Sequence, residues 1–122
     1  MNVLRIRYFV NKSPIHSDLK PTDENTRVDE LIAKVIKVIG HHLGDIPFKV
    51  YLFGSRAKDN AIEGADVDLA IACPELTEGD FRKIKQEIAA IRTLYSIDLI
   101  HLERVDSDFR EIVLADARKI YG

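Results

Sequence analysis

Three short apolar runs, at residues 48–53, 65–72 and 96–102, constrain most tightly what this chain can fold into. Each is rich in β-branched, aromatic or aliphatic residues and has the length of a strand. The stretches around them carry a helical period instead. At about 26–43, Val28, Leu31, Ile32, Val35 and Ile39 form one stripe with Lys34 and Lys37 outward, and Thr26 with Asp29 reads as a capping box. Thr77 and Asp80 read as a second cap, ahead of Phe81, Ile84, Ile88 and Ile91 on one face. A last helix is expected from about 107 to 120, burying Phe109, Ile112, Val113 and Ile120. Helices alternating with strands and no internal repeat predict a small α/β sheet covered by helices.

Upstream of these elements, Leu4, Ile6, Tyr8 and Val10 alternate with Arg5 and Arg7, the pattern of a strand with one wet face. Residues 11–25 hold two prolines and several charges and read as a polar connector. The chain thus divides into an N-terminal arm, 1–25, which adds an edge strand or docks onto a partner, and one domain, 26–122. A length of 122 residues suits a single core. With 18 Lys+Arg against 20 Asp+Glu, the net charge of −2 gives no general attraction to nucleic acid or membrane. Direct nucleic-acid binding and membrane association are not expected, and any phosphate must be held by a local site. Cys73 is the single cysteine, which excludes an internal disulfide. No apolar run approaches the roughly 20 residues of a membrane span, and the first residues lack the apolar block of a signal peptide. A soluble, cytoplasmic domain is the expectation.

The chemistry-bearing stretch runs from Tyr51 to Ile71. Gly54-Ser55 directly follows an apolar strand. If the chain turns there into a helix, unpaired backbone N–H groups and the Ser55 hydroxyl face whatever lies beyond the strand end, a phosphate grip; an ordinary turn is the alternative. Asp66 and Asp68 are two apart, so on a strand both carboxylates project to one side while Val67, Leu69 and Ile71 face the other. Such a pair raises its own pKa values unless a cation intervenes, and its hard oxygens suit Mg²⁺. Asp98 lies in the middle of an apolar strand, where a carboxylate needs a metal or a cationic partner. Were its strand to neighbour that of Asp68, three acids could hold two Mg²⁺ ions about 4 Å apart for in-line displacement at phosphorus. Asp98 would then be the natural base for an attacking hydroxyl. Arg56 is a candidate to neutralise phosphate charge, or else a surface arginine bonding a carboxylate.

Gly54-Ser55, ten residues, Asp66-x-Asp68 and then Asp98 together resemble the nucleotidyltransferase superfamily of DNA polymerase beta, and more narrowly the minimal nucleotidyltransferase (MNT) antitoxin family. The resemblance spans about 28–120. It implies a small mixed β-sheet covered by helices, α/β (α+β) in class. It further implies that Gly54 and Ser55, with Arg56 beside them, bind a nucleotide, that Asp66, Asp68 and Asp98 bind Mg²⁺ and perform catalysis, and that ATP is the substrate. Lys58, Asp59 and Ala65 depart from the family's Gly-Ser-Arg-Ala-Arg-Gly and Ser-Asp patterns, which touches loop contacts rather than the acids. The family acts as antitoxin to an all-helical HEPN ribonuclease toxin in a hetero-oligomer. The implied activity is protein adenylylation: AMP moves from ATP to a tyrosine hydroxyl of the toxin. A platform for the acceptor is expected to come from that partner. Two other readings stand beside it, a non-catalytic antitoxin that acts by binding alone and a small-molecule nucleotidyltransferase of the antibiotic-modifying type. A two-metal nuclease is a further alternative, against which the Gly-Ser grip argues.

Elsewhere the reading is structural. His41 and His42 cap the first helix against its dipole. Cys73 is a small buried residue, and Tyr51 and Phe53 belong to the core rather than to a base-stacking platform.

Overall fold

The computed structural model describes residues 23–122. The strand expected at 3–10 and the connector as far as residue 22 lie outside the described residues.

Helix α1 spans Glu24–Leu43. It begins two residues before the sequence reading placed it, because the cap is Asp23 and not Thr26. The Asp23 carboxylate accepts from the Thr26 N–H at 3.3 Å, satisfying one of the free donors of the first turn. Asp and Thr both cap well, so the residue type alone does not favour Thr26 over an aspartate one turn earlier. The helix ends at Gly44, whose φ of 60° suits a residue without a side chain. Its apolar stripe is buried over its whole length, from Val28 to Leu43.

Strand β1, Lys49–Phe53, leads into a single 3-10 turn, Gly54–Arg56. After a loop come β2, Val67–Ala72, then helix α2, Glu78–Ala89, and β3, Ile97–His101. The Thr77 cap of α2 forms as expected, its hydroxyl accepting from the Asp80 N–H at 3.1 Å. The chain finishes with α3, Ser107–Asp116, and β4, Arg118–Tyr121. The sheet is mixed, with order β3-β2-β1-β4. Strand β1 pairs antiparallel with β2 and with β4, while β2 and β3 run parallel, joined by the α2 crossover.

Alternation sorts the two sheet faces. Val50, Leu52, Val67, Leu69, Ile71 and Leu99 point to the layer of α1 and α2 and form the main core with Val35, Ile39 and Ile84. Each such fully buried aliphatic side chain contributes about 1.5–3 kcal/mol of transfer free energy. Among the described residues the opposite face is only partly covered. There Ala70, Leu102 and Val113 form a small second cluster, with Tyr51, Phe53, Ala72 and Ile100 half-buried around it. Tyr51 and Phe53 therefore sit on this open face and not in the main core.

The C-terminal expectation needs a correction. Residues 118–121 are a strand, not the end of a helix: Ala117 is extended, and Phe48 stacks on Tyr121 with ring centroids 4.6 Å apart. Ile120 is buried as expected, but from β4. Phe109 and Ile112 are exposed, at 41% and 69%. Helix α3 rests on the sheet through Val113 and through Arg110, which donates to the Leu102 and Val105 carbonyls at 2.7 and 3.1 Å. That contact turns the 109/112 side outward. Among the described residues no helix is long and apolar enough to cross a membrane.

Candidate active site

The site lies at the edge where β1 ends and β2 and β3 begin. Asp68 is the second residue of β2 and Asp98 the second of β3, and the parallel register sets them directly opposite each other. Across β1, Asp68 faces Phe53. Both acids are on the open face of the sheet, in step with Ala70 and Ile100. Asp98 is exposed and Asp68 half-buried, so neither points into the apolar interior. Asp66 precedes β2 by one residue, is exposed, and its charge reaches Asp68. The carboxyl of Asp68 is held above its ordinary range, first by partial burial and then by the negative charges of Asp98 and Asp66, with Arg56 opposing. The register pairs Asp68 with Asp98 directly, whereas Asp66, expected on the same strand as Asp68, lies just before β2.

Gly54 closes the other side. Its φ is 76°, a left-handed backbone that disfavours any side chain, and a Cβ placed there would overlap Oδ2 of Asp68. The glycine lets the backbone turn lie directly against the carboxylate. The turn is one 3-10 turn, in which the Ala57 N–H bonds the Gly54 carbonyl at 3.1 Å, and not the opening of a long helix. Any phosphate grip here rests on local N–H groups and the Ser55 hydroxyl, without a long helix dipole behind them.

Arg56 does not project toward this face as a free cation. Only 9% exposed, it donates through Nε and Nη2 to the Ala65 carbonyl at 3.1 and 2.7 Å, and through Nη2 to Glu24 at 2.9 Å. Of the two roles considered for it, bonding a carboxylate is the one this geometry carries. Glu24 also accepts the Gly64 N–H at 3.1 Å. The guanidinium, then that N–H, hold the Glu24 carboxyl below its usual range. Glu24 was counted with the connector, and no local signal ties residue 24 to residue 56. Behind the sheet, a cavity of about 590 Å³ opens between the start of α1 and the loop after β1, bounded by Val28, Leu52 and Arg118.

The donor set fits Mg²⁺ in kind: hard carboxylate oxygens, one of them crowded by the charges of two other acids. Among the described residues no three acid, imidazole or thiol groups draw close enough to enclose an ion by themselves. The other candidates are structural. His42 pairs with Glu87 at 2.7 Å, linking α1 to α2, and the buried Cys73 thiol is pushed up by desolvation. Buried His101 donates through Nε2 to the Cys73 carbonyl, 3.1 Å away.

Residues 34–122 match the family model described as Polymerase beta, Nucleotidyltransferase. The chain belongs to this nucleotidyltransferase family. No curated protein matches it. Among solved structures, the nucleotidyltransferase domain is similar to a chain of a toxin–antitoxin complex with AMP-PNP, at 21% identity and a TM-score of 0.59, over 73% of this chain and 71% of the other. It is similar to a chain of a tri-AMPylated Shewanella oneidensis HEPN toxin in complex with an MNT antitoxin, at 20% identity and a TM-score of 0.56, over 75% and 70%. A third similarity is to a putative nucleotidyltransferase from Sulfolobus solfataricus, at 17% identity and a TM-score of 0.50, over 74% and 76%. The resemblance to the polymerase beta nucleotidyltransferase superfamily and the fold class expected from the motif are both borne out.

Proposed function

We propose that this nucleotidyltransferase is an MNT-type antitoxin that transfers AMP from ATP to a tyrosine hydroxyl of a HEPN-class ribonuclease toxin. The observation that carries the reading is the register pair Asp68–Asp98 beside a side-chain-free Gly54, with Asp66 one residue from the same strand. Support for the partner and the nucleotide comes from the similar complexes, one with AMP-PNP and one with an AMPylated toxin.

In this mechanism the Gly54-Ser55 turn holds the triphosphate, and Asp66, Asp68 and Asp98 are the residues that would hold Mg²⁺. When bound, the ion offsets the charge of three acids and a triphosphate and makes the acceptor hydroxyl more acidic. The partner presents the tyrosine oxygen in line with the α-phosphorus. Asp98, the most open of the strand acids, takes the hydroxyl proton as the oxygen–phosphorus bond forms. The bond from the α-phosphorus to the bridging oxygen breaks, and pyrophosphate leaves. The product is a tyrosine phosphodiester whose bulk and negative charge oppose RNA binding at the toxin.

A cell-protection assay with Asp66→Asn and Asp68→Asn together tests the reading. The double variant should still associate with the toxin but lose protection. Full protection by it would favour neutralisation through binding alone.

A further inference from the structure

We propose that Arg56 is a positioning residue that sets the relative placement of the two carboxylate-bearing strands, with Glu24 as the counter-ion that holds it in place. The inference rests on the nucleotidyltransfer reading of the site and deepens it.

Arg56 ends the 3-10 turn that begins with Gly54-Ser55. Its guanidinium is forked onto the carbonyl of Ala65, the residue immediately before Asp66. It also lies over the ring of Tyr95, 5.4 Å from the centroid, and Tyr95 stands three residues before Asp98. One buried cation therefore touches the turn next to the grip, the lead-in to Asp66 and Asp68, and the lead-in to Asp98. Glu24, in the first turn of α1, binds the same guanidinium at 2.9 Å and accepts the Gly64 N–H at 3.1 Å, so the loop before β2 is held twice. The loops at 57–66 and 90–96 are otherwise long and largely exposed, carrying Ile62 at 78% and Leu94 at 98% exposure. The Val67 N–H bonds the Ser96 carbonyl at 2.9 Å where the two strands start, and the clamp adds side-chain bonds to the loop ends just before that point.

A planar fork is required to bond one carbonyl through two nitrogens, bind a carboxylate and stack on an aromatic ring at once. Lysine keeps the charge and loses the fork. The inference therefore separates geometry from electrostatics. Arg56→Lys preserves the charge near Asp68 while releasing Ala65 and Tyr95, and Glu24→Gln preserves shape while weakening the anchor. Groups that orient metal-binding side chains in this indirect way change affinity or activity by about 10–100-fold when lost.

The test compares wild type, Arg56→Lys, Glu24→Gln and a core variant, Ile84→Val, used at a temperature where its loss of stability matches that of Arg56→Lys. Three measurements are made: Mn²⁺ affinity by electron paramagnetic resonance, kcat and KM for AMP transfer to the toxin, and amide hydrogen exchange. Arg56→Lys should bind Mn²⁺ about tenfold more weakly and lower kcat about tenfold, with KM for ATP changed about twofold or less. Glu24→Gln should move in the same direction by less. The amides at 64–66 and 95–97 should exchange faster together in both variants and in neither loop of Ile84→Val. Wild-type affinity and kcat in Arg56→Lys, faster exchange in one loop only, or equal losses in Ile84→Val would overturn the positioning role. If wild type itself binds no Mn²⁺ and transfers no AMP, the functional reading fails separately, and joint loosening of the two loops still decides the clamp.

Discussion

Asp68 carries a cost that the fold does not need. Its carboxyl is raised by partial burial and by two facing acids, so the folded state holds that proton more tightly than the unfolded chain does. Stability therefore falls as pH rises from the unfolded carboxylate value through the folded one, and at neutral pH the ionised group is a standing penalty. Because the group is half-buried and water screens it, Asp68→Asn should stabilise the metal-free protein by only about 0.5 kcal/mol at pH 7, roughly 2–3 °C in Tm. The gain should vanish below the ordinary carboxylate range, as a thermal-unfolding series against pH would show. Asp98 makes a different prediction. As the proposed base it acts on the attacking group, so Asp98→Ala should lower kcat for AMP transfer by about 100-fold or more while the Kd for ATP changes much less. Parallel turnover and calorimetric binding measurements separate the two effects, and an unchanged kcat would remove the base role. These acids were legible in the sequence because strand periodicity is short-range: Asp66 and Asp68 share a face by counting, and Asp98 stands out as a charge inside an apolar run. The role of Arg56 was not legible. Its partners lie 32 and 9 residues away, and no local pattern reports a contact between a helix start and a loop.

At the scale of elements, the three core strands and the first two helices follow from periodicity, since each buries a long apolar stripe or run in one main core. The C-terminal segment does not. Phe109, Ile112, Val113 and Ile120 fit a helical spacing, but Ile120 is buried by pairing β4 with β1, and α3 commits only Val113 to the sheet. A pattern of four apolar residues cannot say which of them tertiary pairing will claim. A stability contrast follows. Val113→Ala should cost about 1–3 kcal/mol because it empties a buried position under the sheet, whereas Ile112→Ser should stay within about 0.5 kcal/mol. Urea midpoints for the two variants test this, and equal costs would contradict the orientation of α3. The start of α1 was misplaced for a comparable reason. Asp23 and Thr26 are both good caps, and with Asp23 as the cap Glu24 lies in the first turn, where it reaches Arg56 and Gly64.

At the scale of the whole molecule, the sheet separates support from chemistry. One face is sealed by α1 and α2 around the main core, and the other is left partly open with Asp68 and Asp98 on it. In the proposed function, this acid-bearing face beside a turn that admits no side chain is where a magnesium-bound triphosphate would meet a hydroxyl brought by a second protein. The most direct measurement is transfer of label from α-³²P ATP in the presence of Mg²⁺ and the co-purified HEPN-class toxin. Label is expected on a toxin tyrosine, with pyrophosphate released in equal amount and no transfer from γ-labelled ATP. Label confined to a small molecule, or free AMP with none on the toxin, would contradict it.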